Sequence, residues 1–164
     1  MFAYDASEWS DLFVATAGAS AALAGLVFVA VSINIERILG LPGLPERALE
    51  TVLLLMTVLL ASIAGLIPGQ SSAALGIELL FLAVVIGGGA SRLPTIYTGG
   101  EVEPRSWLLA RWGVRATAFV PLLVGGLGLL AETGGGLYWV VAGMAFATLG
   151  AVASAWVLLV EILR

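Results

Sequence analysis

Polar residues in this chain fall in short clusters separated by long apolar runs, and the lengths of those runs set the first expectation. A bilayer core about 30 Å thick needs roughly 20 mostly apolar residues to be crossed as a helix. Five runs qualify, at about 10–35, 48–67, 71–90, 112–131 and 137–163. The breaks between them carry helix-stopping residues: Leu41-Pro42-Gly43-Leu44-Pro45, Pro68-Gly69, Arg92-Leu93-Pro94 with Gly99-Gly100, and Gly134-Gly135-Gly136. Only a few residues join the second and third runs, so these two should form an antiparallel hairpin. The pattern predicts an all-α protein: an integral membrane bundle of five transmembrane helices forming a single domain over residues 1–164.

Arginine placement predicts orientation. Arg37 and Arg47 follow the first span, Arg92, Arg105, Arg111 and Arg115 lie around the third loop, and Arg164 ends the chain. Five crossings put all of them on one side, whereas four would divide them between faces. Cytoplasmic loops carry the excess of basic residues, so the N-terminus is expected outside and the C-terminus in the cytoplasm. Aromatic residues fit this layout, with Tyr4, Trp9, Tyr138 and Trp139 near the outer interface and Tyr97, Trp107 and Trp112 near the inner one. The start Met-Phe-Ala-Tyr-Asp has no basic segment, and the run that follows is too long for a cleaved signal peptide. Acidic residues precede Pro104, which predicts a short interfacial helix at about 104–111 running into the fourth span.

Composition narrows the chemistry. The chain is 60% hydrophobic and 11% charged, with a mean hydropathy of +1.09; too few charges are present to clothe a soluble domain or to bind nucleic acid. Lys, His and Cys are all absent. That excludes a Walker loop, His- or Cys-ligated metals and haem, and Ser-His or Cys-His nucleophiles. Asp5 and Asp11 are the only aspartates, and both precede or open the first span. No enzyme, metal site or cofactor is expected, and the lipid bilayer is the first partner.

Candidate functional positions lie in the first and third spans. Asp11, Ala15, Gly18, Ala22, Gly25, Val29, Ser32 and Glu36 recur at steps of four and three, small in the middle and acidic at both ends. Small residues let helix backbones approach closely, so one reading is a packed seam within the subunit. The other is a pore or ion pathway, in which several copies surround an axis and place carboxylate rings at each mouth. The fifth span carries a comparable packing seam, Gly143, Ala147, Ala151 and Ala155, and the two seams could pack on each other. Glu78 is the one carboxylate well inside a span, about seven residues or roughly 10 Å from its outer end. An ionised acid at a span centre costs about 2.5–3.5 kcal/mol on insertion scales. Glu78 is therefore a candidate intramembrane titratable group or, on the plainer reading, a neutral carboxyl bonded to another span. Ser32 and Asn34 are expected to bond between helices, and Pro121 to kink the fourth span and free a carbonyl.

Two stretches carry resemblances. Residues 17–37, AGASAALAGLVFVAVSINIER, and 155–164, AWVLLVEILR, are similar to a group of small bacterial multi-span membrane proteins, some labelled "modulator of FtsH protease". That implies a multi-pass protein of the bacterial cytoplasmic (inner) membrane. The run from Ser20 to Val31 also resembles the pore helix of Orai calcium channels, which implies Gly25 and Val29 as the narrow apolar stretch. The selectivity glutamate of that family falls on Ile33 here, which cannot bind calcium, and Orai subunits have four spans with the N-terminus inside. The functional expectation is a small homo-oligomeric membrane protein forming a channel or transport pathway for cations or protons. The alternative is a non-catalytic accessory or regulatory subunit of a larger membrane complex.

Overall fold

The computed structural model describes residues 2–41, 43–91 and 105–163, and every regular element among them is helical. A single 3-10 turn, Ala6–Trp9, leads into α1 (Ser10–Ile33). Then come α2 (Ile35–Gly40), α3 (Leu44–Gly65), α4 (Ser72–Ser91), α5 (Arg105–Ala131) and α6 (Gly136–Leu163). All but α2 include a stretch long and apolar enough to cross a membrane, as a multi-pass membrane protein requires.

Local chemistry explains where the helices stop. Asp5 caps the leading turn: its carboxylate accepts from the Ser7 hydroxyl at 2.6 Å and from the Ser7 amide at 3.0 Å. Those two bonds hold the Asp5 carboxyl below its ordinary value, the hydroxyl contributing more than the amide. The first apolar run is not one helix to its end. Asn34 leaves helical geometry at φ −108°, ψ 19°, and separates α1 from α2. The bonds expected between helices at this point are made within α1 instead. Ser32 Oγ donates to the Phe28 carbonyl at 2.8 Å and Asn34 Nδ2 to that of Ala30 at 2.9 Å.

Left-handed Gly43 turns the chain into α3, and Pro45 occupies its first turn, where no amide hydrogen is needed. The second helix therefore opens at Leu44, earlier than the apolar run alone suggests. Between α5 and α6, Gly134 and Gly135 take φ of 72° and 76°, a conformation that favours glycine. α5 continues without interruption from Arg105 through the buried Pro121 to Ala131. Residues 105–111 are thus its first turns. The loop at 92–104, and the side chains of Trp107, Leu108 and Arg111, lie outside the described residues, as does Arg164.

α3 is the hub, touching α1, α4 and α6, while α5 lies between α4 and α6. Glycines on α5 set its closest approaches. A Cβ on Gly126 would stand 3.0 Å from the Gly76 carbonyl of α4, and one on Gly125 would stand 3.0 Å from the Gly136 carbonyl at the start of α6. α1 packs on α3 through Phe13, Ser20 and Ala24, and is tied to it by a 2.8 Å hydrogen bond between the Thr16 and Ser62 hydroxyls. The main core runs through all five long helices, with Leu54, Leu55, Leu79, Leu122 and Val140 among its fully buried side chains.

One end of the bundle gathers the arginine-free segments. The Leu137 amide donates to the Ala3 carbonyl at 3.0 Å, and the Gly135 amide to the Tyr4 phenol oxygen at 3.0 Å. Ser72 Oγ donates to Glu132 at 3.1 Å, and Trp9 meets Tyr138 edge-on at 5.0 Å. The N-terminal segment and the turns before α4 and α6 therefore share one end, as five crossings require.

The glycine contacts separate two substitutions of the same kind. Gly76→Ala, whose Cβ would lie 2.8 Å from the Gly126 carbonyl, should destabilise the protein by about 1–3 kcal/mol. Gly113→Ala, which meets nothing within 4 Å, should be neutral or stabilise it by up to about 1 kcal/mol. Unfolding in mixed micelles measures both; equal effects would contradict the close α4–α5 crossing.

Candidate functional site

The first candidate is the small-residue stripe of α1, and the structure puts all of it on the outside. Asp11, Ala15, Gly18, Ala22, Gly25, Val29, Ser32 and Glu36 are each exposed, and a Cβ at Gly18 or Gly25 would meet nothing within 4 Å. The reading of this stripe as a packed seam within the subunit is therefore overturned. α1 rests on α3 through a different face. The two small-residue seams do not serve each other either: Gly143, Ala147 and Ala151 are buried and Ala155 half-buried, with Gly143 against Ala118 and Leu122 of α5. Glu36 stands on α2, beyond the break at Asn34, so the far acidic end of the stripe is not on the same straight helix as Asp11.

Large apolar side chains flank the stripe in the open. Leu26 and Phe28 are each 68% exposed and Ile33 is 77% exposed. A surface of this kind is normal towards lipid or towards another protein. In hydrocarbon, small residues add the possibility of close backbone approach that lipid tails do not exploit.

Glu78 is the second candidate. It lies on the outward face of α4, beside exposed Ile77 and Phe81, while Leu75, Gly76, Leu79 and Ala83 turn inward. The plainer expectation, a carboxyl bonded to a neighbouring span of the same subunit, does not hold. No partner reaches Glu78 among the described residues.

A third feature was missed in the sequence. Arg115 Nε donates to Glu50 Oε1 at 2.6 Å, joining α5 to α3, and the two side chains are only 5% and 6% exposed. Apolar layers close it off along α3. Leu44 and Ala48 pack with Ile38 and Leu158 on one side, and Leu54 and Leu55 enter the main core on the other. Trp112 stands beneath the guanidinium, with its ring centroid 5.8 Å away. Arg115 Nη2 and, one helical turn before Glu50, Glu46 Oε2 are buried with no hydrogen-bond partner among the described residues. Arg115 thus belongs to the bundle interior, not to the loop that its neighbours in sequence suggest. The available signal was a basic and an acidic residue each set inside an apolar run, though 65 residues apart.

Chemically, a buried carboxylate–guanidinium pair is costly to desolvate and strongly destabilising to break on one side only. No family model, curated protein or solved structure matches the chain, so the geometry alone must carry the functional reading. Arg115→Met is expected to cost about 3–5 kcal/mol, and Glu50→Gln combined with Arg115→Met clearly less than the sum of the two single losses, because the pair is then removed as a unit. A double-mutant cycle on unfolding in micelles checks this; additive losses would show that the pair does not hold α5 to α3.

Proposed function

We propose that this protein is a homo-oligomeric membrane protein whose copies assemble with α1 nearest the symmetry axis, forming a channel or transport pathway for cations or protons. One observation carries the reading: the whole acid-ended, small-residue stripe of α1 lies on the outer surface of the subunit with open space before it. Several such faces brought together would leave a narrow passage lined by Gly18, Ala22, Gly25, Val29 and Ser32. Asp11 would stand at one mouth, and Glu36, carried on α2, at the other. Rings of carboxylates concentrate cations at a pore entrance and repel anions. The arginine-bearing end would face the cytoplasm, in a bacterial inner membrane.

A second reading draws on the same surface. The exposed Leu26, Phe28 and Ile33 beside the stripe also suit a non-catalytic accessory or regulatory subunit that packs against a larger membrane complex. In that case Gly18 and Gly25 would admit the partner's helix instead of another α1.

Flux in proteoliposomes divides the two. On the channel reading, Asp11→Asn and Glu36→Gln each reduce cation-over-anion selectivity several-fold, and Gly25→Leu blocks flux by filling the narrow stretch. Wild-type flux no higher than that of protein-free liposomes would overturn the channel. Release of a co-purifying polypeptide by Gly25→Leu would then establish the accessory role.

A further inference from the structure

We propose that the start of α3 and the buried face of α5 form an internal water-binding site, in which one water molecule accepts from Arg115 Nη2 and donates to Glu46 Oε2. The inference goes beyond the channel reading and does not depend on it.

The site grows out of the Glu50–Arg115 bond. α4 and α6 each pack against both α3 and α5, so this bond crosses the middle of the four helices. It engages Nε of the guanidinium, 2.6 Å from Glu50 Oε1. Arg115 Nη2 is buried with hydrogens to give and no acceptor among the described residues, on a side chain that is 5% exposed. Glu46 Oε2 is buried with lone pairs to offer and no donor among them. A buried polar atom without a partner carries the full cost of its desolvation. Two such atoms beside one ion pair point to a ligand.

Helix geometry brings the two atoms into one neighbourhood. Glu46 and Glu50 stand four residues apart on α3, where side chains share a face and their Cβ atoms are about 6 Å apart. The turns that follow α3 and α5 share one end of the bundle with the N-terminal segment, so both helices start at the opposite end. Side chains lean towards the start of their helix. Arg115 and Glu50 therefore both lean towards the turn of α3 that carries Glu46. No ion pair joins Glu46 to Arg115 among the described residues, so the two groups are neighbours without a direct bond.

The orphan atoms are of opposite kinds, and that selects the ligand. A metal cation or an ammonium cannot accept from Nη2, and the guanidinium repels it. An anion has no hydrogen for Glu46, and two carboxyls repel it. Water accepts and donates at once, and its second hydrogen can reach Glu50, since a carboxylate has about four lone-pair sites. Buried waters typically make about three hydrogen bonds to groups of this kind. Entry is from the end where α3 starts: Glu46 is only half-buried, and Trp112, which flanks the guanidinium, is 52% exposed.

A crystal structure of the full chain in lipid, at a resolution that shows ordered water, reads the site directly. The expected result is a single-atom peak about 2.7–3.2 Å from both Arg115 Nη2 and Glu46 Oε2, lost in Glu46→Leu while the Glu50–Arg115 bond stays. Unfolding in mixed micelles gives a second readout. Glu46→Gln keeps an oxygen that accepts from water and should move the unfolding equilibrium constant by less than about threefold, whereas Glu46→Leu should move it on the order of tenfold towards the unfolded state. No peak, a peak larger than one atom, or a bond from Nη2 to Glu46 or any other group of the protein would overturn the site. So would a Glu46→Gln effect as large as that of Glu46→Leu, which would leave Glu46 no role as an acceptor.

Discussion

In hydrocarbon an apolar side chain gains nothing by turning inward, since lipid tails are as apolar as leucine. What holds a helix bundle together there is close packing and the satisfaction of polar groups, and both follow from where this chain has no side chain or a charged one. Gly76 and Gly126 bring α4 onto α5, Gly125 and Gly136 bring α5 onto α6, and Phe13 lies against Gly65 where α1 meets α3. Large residues at these points would force the backbones apart. The remaining leucines and valines then fill the space that the glycines define.

The Glu50–Arg115 pair adds what packing alone lacks, a registration mark. Packed apolar faces tolerate sliding by a turn with modest change in contact, whereas a 2.6 Å bond between buried ions does not. A buried pair of this kind is poor evidence for net stability, because desolvation offsets the attraction. Its consequence is specificity: α3 and α5, far apart in sequence, are held at one relative height. The hub helix and the helix that joins α4 to α6 are thereby fixed together.

The number and extent of the long helices were legible in the sequence because each requires only a run of apolar residues and a break. Positions inside the bundle were not. The residues of α1 are apolar or small on every side, so hydropathy could not tell Phe13, Ser20 and Ala24, which face α3, from Leu26 and Phe28, which face outward. Small size likewise has two meanings. On α6 it marks a buried contact, at Gly143 and Ala147, and on α1 it marks an open surface, at Gly18 and Gly25. Glu50 and Arg115 were hidden for another reason. Each lies near the end of an apolar run, where a charge ordinarily belongs to the interface, and their pairing depends on the fold. Glu78 stood out by its depth, but only the structure gives its direction.

The exposed stripe of α1 carries the proposed function. Its small, acid-ended face has features that lipid alone does not require, and further copies of the chain are what we propose covers it. The native mass of the complex, extracted gently from its own membrane, tests this most directly. The account predicts a single-component assembly of several 16.8 kDa subunits. A lone monomer that survives mild extraction would contradict it.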